Sequence, residues 1–255
     1  MHGFTFQLNS CNADAVRQSW ERAVRRFDIL RTSFHFAPVS GRWAQVIHTD
    51  ADVKWSTKHY SDSTKFVEDF KRSLSFKDPT DFSRSPLHFL LAVLHEENYL
   101  VVVLHHVLYD AVSLPKLFSF VRQDLMGSSS STPPPQLQDI IDDILAQEND
   151  GAKFWADSLK GFRPPRISKD RPVSSDAWRS SLTLDPDSAV IDRTCRRYQI
   201  SSQSIAQLAW AKVLVNRYQN ADVVFGQVVS GRTLPGAIDI VAPLFVSVSK
   251  QLVTT

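Results

Sequence analysis

The chain has 255 residues, of which 43% are hydrophobic and 22% are charged, and its formal net charge is +2 at pH 7. This composition excludes an intrinsically disordered protein and predicts a soluble globular protein with one large domain or two lobes. The small net charge gives no electrostatic reason to expect nucleic acid or a membrane as a partner.

The cysteines and the N-terminus bear on the cellular compartment. Cys11 and Cys195 lie far apart in the sequence, which favours a reducing compartment over a disulfide framework. The N-terminus MHGFTFQLNS has no basic region followed by an apolar run, so no secretory signal is predicted. The longest apolar runs are too short to span a bilayer. We interpret the protein as cytoplasmic.

Patterns in the N-terminal part alternate between strand and helix. Residues 3–8 (GFTFQL) alternate as a strand does, and a helical pattern begins at Asn12. The stretch 29–48 predicts strand, turn and strand, with the break at residues 38–41. Residues 62–75 place phenylalanines on one side of a further predicted helix.

A predicted hairpin gives the strongest local signal. HFLLAVL and YLVVVL flank the polar HEEN, which is typical of two buried strands joined by a tight turn. LHH ends the second strand, and VSLPKLFSFVRQDLM then follows a helical pattern with Pro115 in its first turn. The adjacent histidines His105 and His106, together with Asp110, therefore lie on a strand-to-helix crossing.

The C-terminal part begins after a low-complexity segment, GSSSSTPPP (127–135), which predicts a loop or linker. Helices are predicted in LQDIIDDILAQEND, AKFWADSLKGF, SAVIDRTCRRYQI and SSQSIAQLAWAKVLVNRYQ, the last capped by Ser201 or Ser202. The proline-rich RPPRISKDRPVSSD predicts an extended crossover between two lobes. SSLTLD and DVVFGQVVSGR predict strands.

His106 and Asp110 form a HisxxxAsp spacing that suits acid–base chemistry. An imidazole titrates near neutral pH and serves as a base, and a nearby carboxylate can orient the ring or hold the backbone. The spacing alone leaves a structural core histidine equally open. His88, His95, His105 and His106 lack the spacing of zinc ligands, so no metal site is predicted. The sequence has neither a G-x-S-x-G nucleophile motif nor a phosphate-binding glycine loop.

Several motifs resemble one family. LHHVLYDAVSL resembles the HHxxxDG core motif of the condensation domains of non-ribosomal peptide synthetases. RFDILRTSF (26–34), DVVFGQVVSGR (222–232) and VAPLF (241–245) resemble three further motifs of that family, in the same order along the chain. The match runs from about residue 4 to residue 245. The segment HHVLYDAVSLPKLF is most similar to the fungal domains of hydroxamate siderophore synthetases.

The resemblance implies a fold and partners. The family has an α/β sandwich fold with two lobes, each like chloramphenicol acetyltransferase. Residues 1–170 would form the N-terminal lobe with the HHxxxD motif, and residues 171–255 would form part of the second lobe. Peptidyl or aminoacyl carrier proteins would present substrates on phosphopantetheine, alongside adenylation domains. The domain itself would bind no cofactor.

The resemblance also implies residue roles. His106 would be the catalytic residue, positioning or deprotonating the acceptor amine as it attacks the donor thioester. His105 and Asp110 would be structural. Asp110 would pair with an arginine, for which Arg31 and Arg232 are both candidates.

Some residues depart from the family pattern. Ala111 stands where the motif has glycine, which matters if the turn needs a positive φ. Phe27 and Asp28 replace a histidine and a glutamate, and Val246 replaces an asparagine. The tail VSVSKQLVTT departs from the family, and the chain is shorter than a complete domain. We therefore expect a fragment truncated at both ends, with exposed apolar faces and poor solubility.

The sequence leaves three functions open. The first is amide-bond formation between carrier-bound acyl and aminoacyl thioesters, which we expect the isolated fragment to perform poorly or not at all. The second is a stand-alone acyltransferase that uses coenzyme A thioesters, although the DFGWG stretch of the plant-type branch is absent. The third is a non-catalytic remnant that docks a carrier protein or has no role.

Overall fold

A computed structural model describes residues 1–9, 11–50, 53–74, 82–146, 148–165 and 187–253. The chain divides into two compact units. Unit 1 comprises Met1–Glu148 together with Ser230–Val246, and unit 2 comprises Asn149–Val229 together with Ser247–Thr255. The predicted lobe boundary near residue 170 lies outside the described residues and stays a prediction.

The described residues form eight strands and seven helices. The strands are β1 (His2–Gln7), β2 (Thr32–Ala37), β3 (Arg42–Ile47), β4 (Lys54–Tyr60), β5 (Leu87–Leu94), β6 (Glu97–Leu104), β7 (Asp222–Ser230) and β8 (Phe245–Val253). The helices are α1 (Ala13–Arg26), α2 (Ser63–Leu74), α3 (Ser113–Leu125), α4 (Gln138–Ala146), α5 (Glu148–Ser158), α6 (Ser188–Tyr198) and α7 (Ser202–Tyr218). No helix in the described ranges is long and apolar enough to cross a bilayer.

A four-stranded sheet in the order β1-β6-β5-β4 forms the centre of unit 1. β6 pairs antiparallel with both β1 and β5, and β4 joins β5 in parallel. The predicted hairpin of β5 and β6 is confirmed. His95 and Glu96 form its two-residue turn with φ of 49° and 67°, which is the left-handed geometry that matches the twist of paired strands.

Both faces of this sheet are covered, as the near-continuous apolar run in β6 requires. Alternate side chains of β6 point to opposite faces. Leu100, Val102 and Leu104 join a core with residues of α1 and α3, whereas Val101 and Val103 join a second core that α2 helps to cover. β6 is therefore a central strand with helices on both sides, as the predicted α/β sandwich requires.

The remaining predicted elements of unit 1 are largely confirmed. β2 and β3 pair antiparallel as a separate hairpin across the predicted break. Segment 127–135 has no helix or strand, as predicted. β4 was not predicted, because only Tyr60 among its side chains is buried and the strand therefore lacks a clear apolar alternation.

Unit 2 contains α6, α7 and most of a two-stranded sheet formed by β7 and β8. Ser201 caps α7, since its side chain accepts a hydrogen bond from the Ser204 N–H at 3.0 Å. The predicted strand SSLTLD and nearly all of the proline-rich crossover lie outside the described residues. The tail was not predicted to be structured, yet residues 245–253 form β8.

Candidate functional site

His106 lies directly beyond the end of the central strand. β6 ends at Leu104, and a single turn of 3-10 helix, His106–Leu108, follows before α3 begins. Leu108 is fully buried and Tyr109 is 5% exposed, so these two side chains anchor the turn in the core of unit 1. The side chain of His106 is exposed. The turn therefore holds one exposed imidazole on a backbone that is anchored in the core.

The backbone fixes the proton on the His106 ring. Its Nδ1 lies 2.9 Å from the carbonyl oxygen of Tyr109. A carbonyl only accepts hydrogen bonds, so Nδ1 donates and carries a proton. In the neutral ring Nε2 then holds the lone pair. Among the described residues Nε2 has no hydrogen-bond partner, which leaves it available to a substrate.

Three rings surround the His106 imidazole. Tyr109 stacks flat on it, with ring centroids 4.7 Å apart and planes 6° apart. His2 and Phe245 meet the same ring edge-on, at 5.5 Å and 5.6 Å between centroids. These arrangements are the ones that aromatic quadrupoles favour. They restrain the plane of the imidazole while Nε2 stays open.

His105 has a different environment from its neighbour. Its Nδ1 accepts a hydrogen bond from the Val107 N–H at 3.1 Å, and its ring packs edge-on against Phe82 at 5.0 Å. Burial, with smaller effects from the N-terminal amine and the nearby imidazoles, lowers the pKa of His105. The neutral ring suits its role as acceptor. These contacts stabilise the turn.

Asp110 makes three hydrogen bonds where the histidine turn meets the first turn of helix α3. Its Oδ1 accepts from the N–H of Val112 at 3.0 Å and of Ser113 at 2.7 Å. In return, the Asp110 N–H donates to the Ser113 hydroxyl at 2.8 Å. This is a capping box, which satisfies backbone donors that the first helical turn leaves without partners. Asp110 therefore sets where α3 starts relative to the histidines.

The same carboxylate forms a buried ion pair with Arg232. Nη2 of Arg232 lies 3.0 Å from Oδ1 and 2.9 Å from Oδ2, and the two side chains are only 2% and 8% exposed. The N–H of Leu244 also donates to Oδ2 at 2.9 Å. Asp110 therefore fastens segment 230–246 to the turn that carries His106.

Arg232 also organises the backbone of that segment. Its Nη1 donates to the carbonyls of Ala237 and Ile240 at 2.6 and 2.9 Å, and its Nη2 donates to the carbonyl of Ala242 at 2.8 Å. Within the same segment Gly231 lies close to Leu244, since its nitrogen is 2.5 Å from the Leu244 oxygen and a Cβ on Gly231 would lie 2.8 Å from that oxygen. Only glycine fits this approach without a shift of backbone.

Burial and hydrogen bonding act on the charge of Asp110 in opposite directions. Burial by itself would raise the pKa of the carboxyl. The N–H groups of Leu244 and Ser113 and the Arg232 guanidinium outweigh it, so the pKa of Asp110 lies below its ordinary value. The carboxylate is ionised at neutral pH and holds Arg232 rather than exchanging protons.

The structure shows which of the two candidate arginines pairs with Asp110. Arg232 forms the ion pair with Asp110, whereas Arg31 pairs with Asp28 and donates to the His48 carbonyl. Ala111 does not have a positive φ, so its departure from glycine strains no backbone. In the described ranges no three His, Cys, Asp or Glu side chains lie close enough to hold a metal.

Sequence reasoning missed the partners of the site. His2, Tyr109, Ser113 and Leu244 all contact His106 or Asp110 or their immediate partners, and none was predicted as a site residue. Ser113 had a usable signal, because Asp-x-x-Ser before an apolar helix resembles a capping box. The contact of Tyr109 with His106 depends on the tightness of the turn, which no sequence pattern specified.

Comparisons with known proteins place the chain in one family. The sequence profile of the condensation domain matches residues 4–249, in agreement with the predicted match from about residue 4 to residue 245. The chain is 34% identical over 248 residues to the nonribosomal peptide synthetase sidC of Aspergillus fumigatus, covering 94% of this chain and 5% of that protein. It is 31% identical over 250 residues to coprinoferrin synthetase of Coprinopsis cinerea, covering 96% of this chain and 10% of that protein.

Solved structures share the fold. The condensation domain of the monacolin K polyketide synthase superposes with a TM-score of 0.74 at 16% identity, covering 99% of this chain and 62% of that chain. The epimerization domain from the third module of tyrocidine synthetase B gives 0.72 at 15% identity, covering 99% and 63%. These matches confirm the predicted chloramphenicol-acetyltransferase-like α/β fold. The profile match across residues 4–249 shows that the chain belongs to the condensation-domain family.

Proposed function

We propose that this chain carries the amide-forming site of a nonribosomal peptide synthetase of the fungal siderophore type. Its substrates are an acyl or peptidyl donor and an aminoacyl acceptor. Both are held as thioesters on the phosphopantetheine of carrier proteins in the cytoplasm, and adenylation domains load the carriers. The chain spans 5–10% of the curated relatives that it matches, so these partners belong to the larger assembly.

The reaction needs one base and an ordered pair of substrates. The acceptor amine attacks the donor carbonyl carbon, forming the C–N bond, and the C–S bond then breaks. Nε2 of His106 accepts the proton that the amine loses and returns it to the leaving thiolate, so the ring ends neutral as it began. Tethering both substrates makes attack effectively intramolecular, which supplies a large part of the rate.

The observation that carries this proposal is the state of the His106 ring. The Tyr109 carbonyl holds the proton on Nδ1, and the exposed Nε2 is left without a partner among the described residues. A base must present its lone pair to the substrate, and this arrangement does so before any substrate binds. We assign Asp110, Arg232 and His105 as positioning residues. The sequence suggested the same supporting role for Arg31. Arg31 contacts Asp28 and His48 and not Asp110, so we do not include it among the positioning residues.

The proposal is tested by amide formation with carrier-bound substrates. We expect the 255-residue chain alone to form little amide, because it spans 62–63% of the two solved domains named above. Joined to the remaining part of the domain from the A. fumigatus relative, it should gain activity. In that longer chain His106→Ala should lower kcat about 10²–10⁴-fold, the usual contribution of general base catalysis.

A matched control is available on the edge strand. His59 is exposed on β4, so His59→Ala removes an imidazole of the same size from the surface. That variant should keep full activity. Unchanged activity in His106→Ala would refute the role of His106. A longer chain that folds but forms no amide would favour a remnant that only docks carrier protein.

A further inference from the structure

The side chain of Tyr109 is the one flat surface that lies against the His106 ring in the described part of the chain. Its ring is parallel to the imidazole within 6° at a centroid distance of 4.7 Å. The two residues are three positions apart on one tight turn, so the stack is built into the turn itself. Tyr109 therefore contacts the His106 imidazole twice, through its ring and through its carbonyl oxygen.

Tyr109 is itself held firmly. Its side chain is 5% exposed, and its ring packs edge-on against Phe4 at 6.2 Å. Its hydroxyl makes a hydrogen bond with Nδ1 of His2. Burial raises the pKa of Tyr109, so the phenol keeps its proton at neutral pH and can make this hydrogen bond. The ring is fixed at the core by Phe4 and at the rim by His2.

We infer that Tyr109 is a positioning residue for His106: its ring holds the plane of the imidazole, and His2 holds the Tyr109 ring through the phenol. This inference rests on the proposed function of His106 and extends it to two residues outside the motif. Rotation of the imidazole about its Cβ–Cγ bond would carry Nδ1 away from the Tyr109 carbonyl oxygen and would move Nε2 to the position that Cε1 now holds. The stack and the carbonyl hydrogen bond together oppose that rotation, so one nitrogen faces the substrate.

The direct test reads the His106 ring in the 255-residue chain, without an activity assay. Long-range proton–nitrogen spectra of the ¹⁵N-labelled chain distinguish the protonated from the unprotonated ring nitrogen. The unaltered chain should show His106 with one tautomer, protonated at Nδ1. Tyr109→Leu removes the flat surface and should bring the two nitrogen shifts toward a common average. Tyr109→Phe keeps the ring and should retain the single tautomer, while the signals of His2 change.

A matched aromatic residue controls for loss of packing. Phe118 on α3 also packs edge-on against Phe4, at 5.4 Å, but no ring contact joins it to His106. Phe118→Leu should lower stability and leave the His106 nitrogen shifts unchanged. If Tyr109→Leu fails to fold, Tyr109→Met replaces it, because methionine fills irregular apolar space without a flat ring.

Two outcomes would overturn the inference. One is a single, unchanged His106 tautomer in Tyr109→Leu or Tyr109→Met. The other is an equal loss of that tautomer in Phe118→Leu. In an active longer chain, Tyr109→Leu should lower kcat about 10²-fold with little change in KM, and Tyr109→Phe should restore most of it. The proposed function itself fails if His106→Ala keeps its activity or if the longer chain folds without forming amide, and neither result depends on the His106 tautomer, so the two failures are distinguishable.

Discussion

The crossing from β6 to α3 and the helix pair α6–α7 differ in how deeply their side chains are buried. At the crossing, Leu104, Leu108, Asp110 and Ser113 are all buried. In contrast, α6 has no buried residue and α7 has only Ala211 buried. Sequence periodicity predicted both regions as regular structure. The difference shows that a helical pattern specifies the helix, whereas the free energy of packing comes from the neighbours that cover it.

This comparison predicts unequal effects for matched substitutions in the two units. The largest is expected for Asp110→Ala, which leaves the Arg232 guanidinium buried without its counter-ion. Such a loss costs about 3–5 kcal/mol, and the lost helix cap adds about 1 kcal/mol. Among the described residues, the side chain of Asp222 in unit 2 accepts hydrogen bonds from Gln251 alone, so Asp222→Ala should cost less than about 1 kcal/mol. Denaturant unfolding measures both.

Two tryptophans give the next test. Trp20 on α1 is 2% exposed and packs against Phe89, whereas Trp210 on α7 is 51% exposed. Trp20→Ala should lower the free energy of unfolding by about 3–5 kcal/mol. Trp210→Ala should change it by no more than about 0.5 kcal/mol. A large effect at Trp210 would mean that α7 is packed in solution, and the contrast between the units would fail.

Replacing either of two glycines by alanine should change the stability of the chain, but with opposite signs. A Cβ at Gly231 would meet the Leu244 carbonyl oxygen at 2.8 Å, so Gly231→Ala should destabilise the chain by about 1–3 kcal/mol. Gly151 lies in α5 with open space around its Cβ position. Gly151→Ala should stabilise the chain by about 0.5–1 kcal/mol, because alanine favours the helix. Thermal unfolding of both variants reports the sign directly.

The smallest expected effect is the pH dependence that arises from Asp110. Its folded pKa lies below 3.8, the ordinary value, so the unfolded state binds the proton first as pH falls. The contribution to stability is therefore fully present above pH 3.8 and is lost as pH falls through the lower folded pKa. Asp110→Asn should show a shallower fall of stability in acid than the unaltered chain. Identical slopes would show that Asp110 does not contribute to acid unfolding.

Much of unit 1 could be predicted because local patterns and burial agree there. HFLLAVL and YLVVVL are bounded by the polar HEEN, and their side chains do alternate between two cores. The edge strand β4 escaped prediction because its side chains are mostly exposed. β8 carries a usable signal, since VSVS alternates as a strand does.

The site was predictable as far as its motif and no further. The positions of His105, His106 and Asp110 at a strand-to-helix crossing follow from residues adjacent in sequence. The pairing of Asp110 with Arg232 rather than Arg31 does not follow from the sequence, because both arginines lie in motifs that resemble the family. Only the tertiary structure shows which of the two comes close to Asp110. The contacts of His2 and Tyr109 depend on the pairing of β1 with β6 and on the tight turn.

The bonds that hold Asp110 have a consequence for the order of folding. The turn that carries His106 forms from contacts within a few residues, whereas Arg232 and Leu244 lie 122 and 134 positions beyond Asp110. Contacts of such separation form slowly, since a long loop must close before they contribute. Synthesis proceeds from the N-terminus. A nascent chain that ends before Gly231 therefore carries the histidine turn without segment 230–246, which binds Asp110 in the folded protein. The site is complete only after that segment has been synthesised and has packed against the turn.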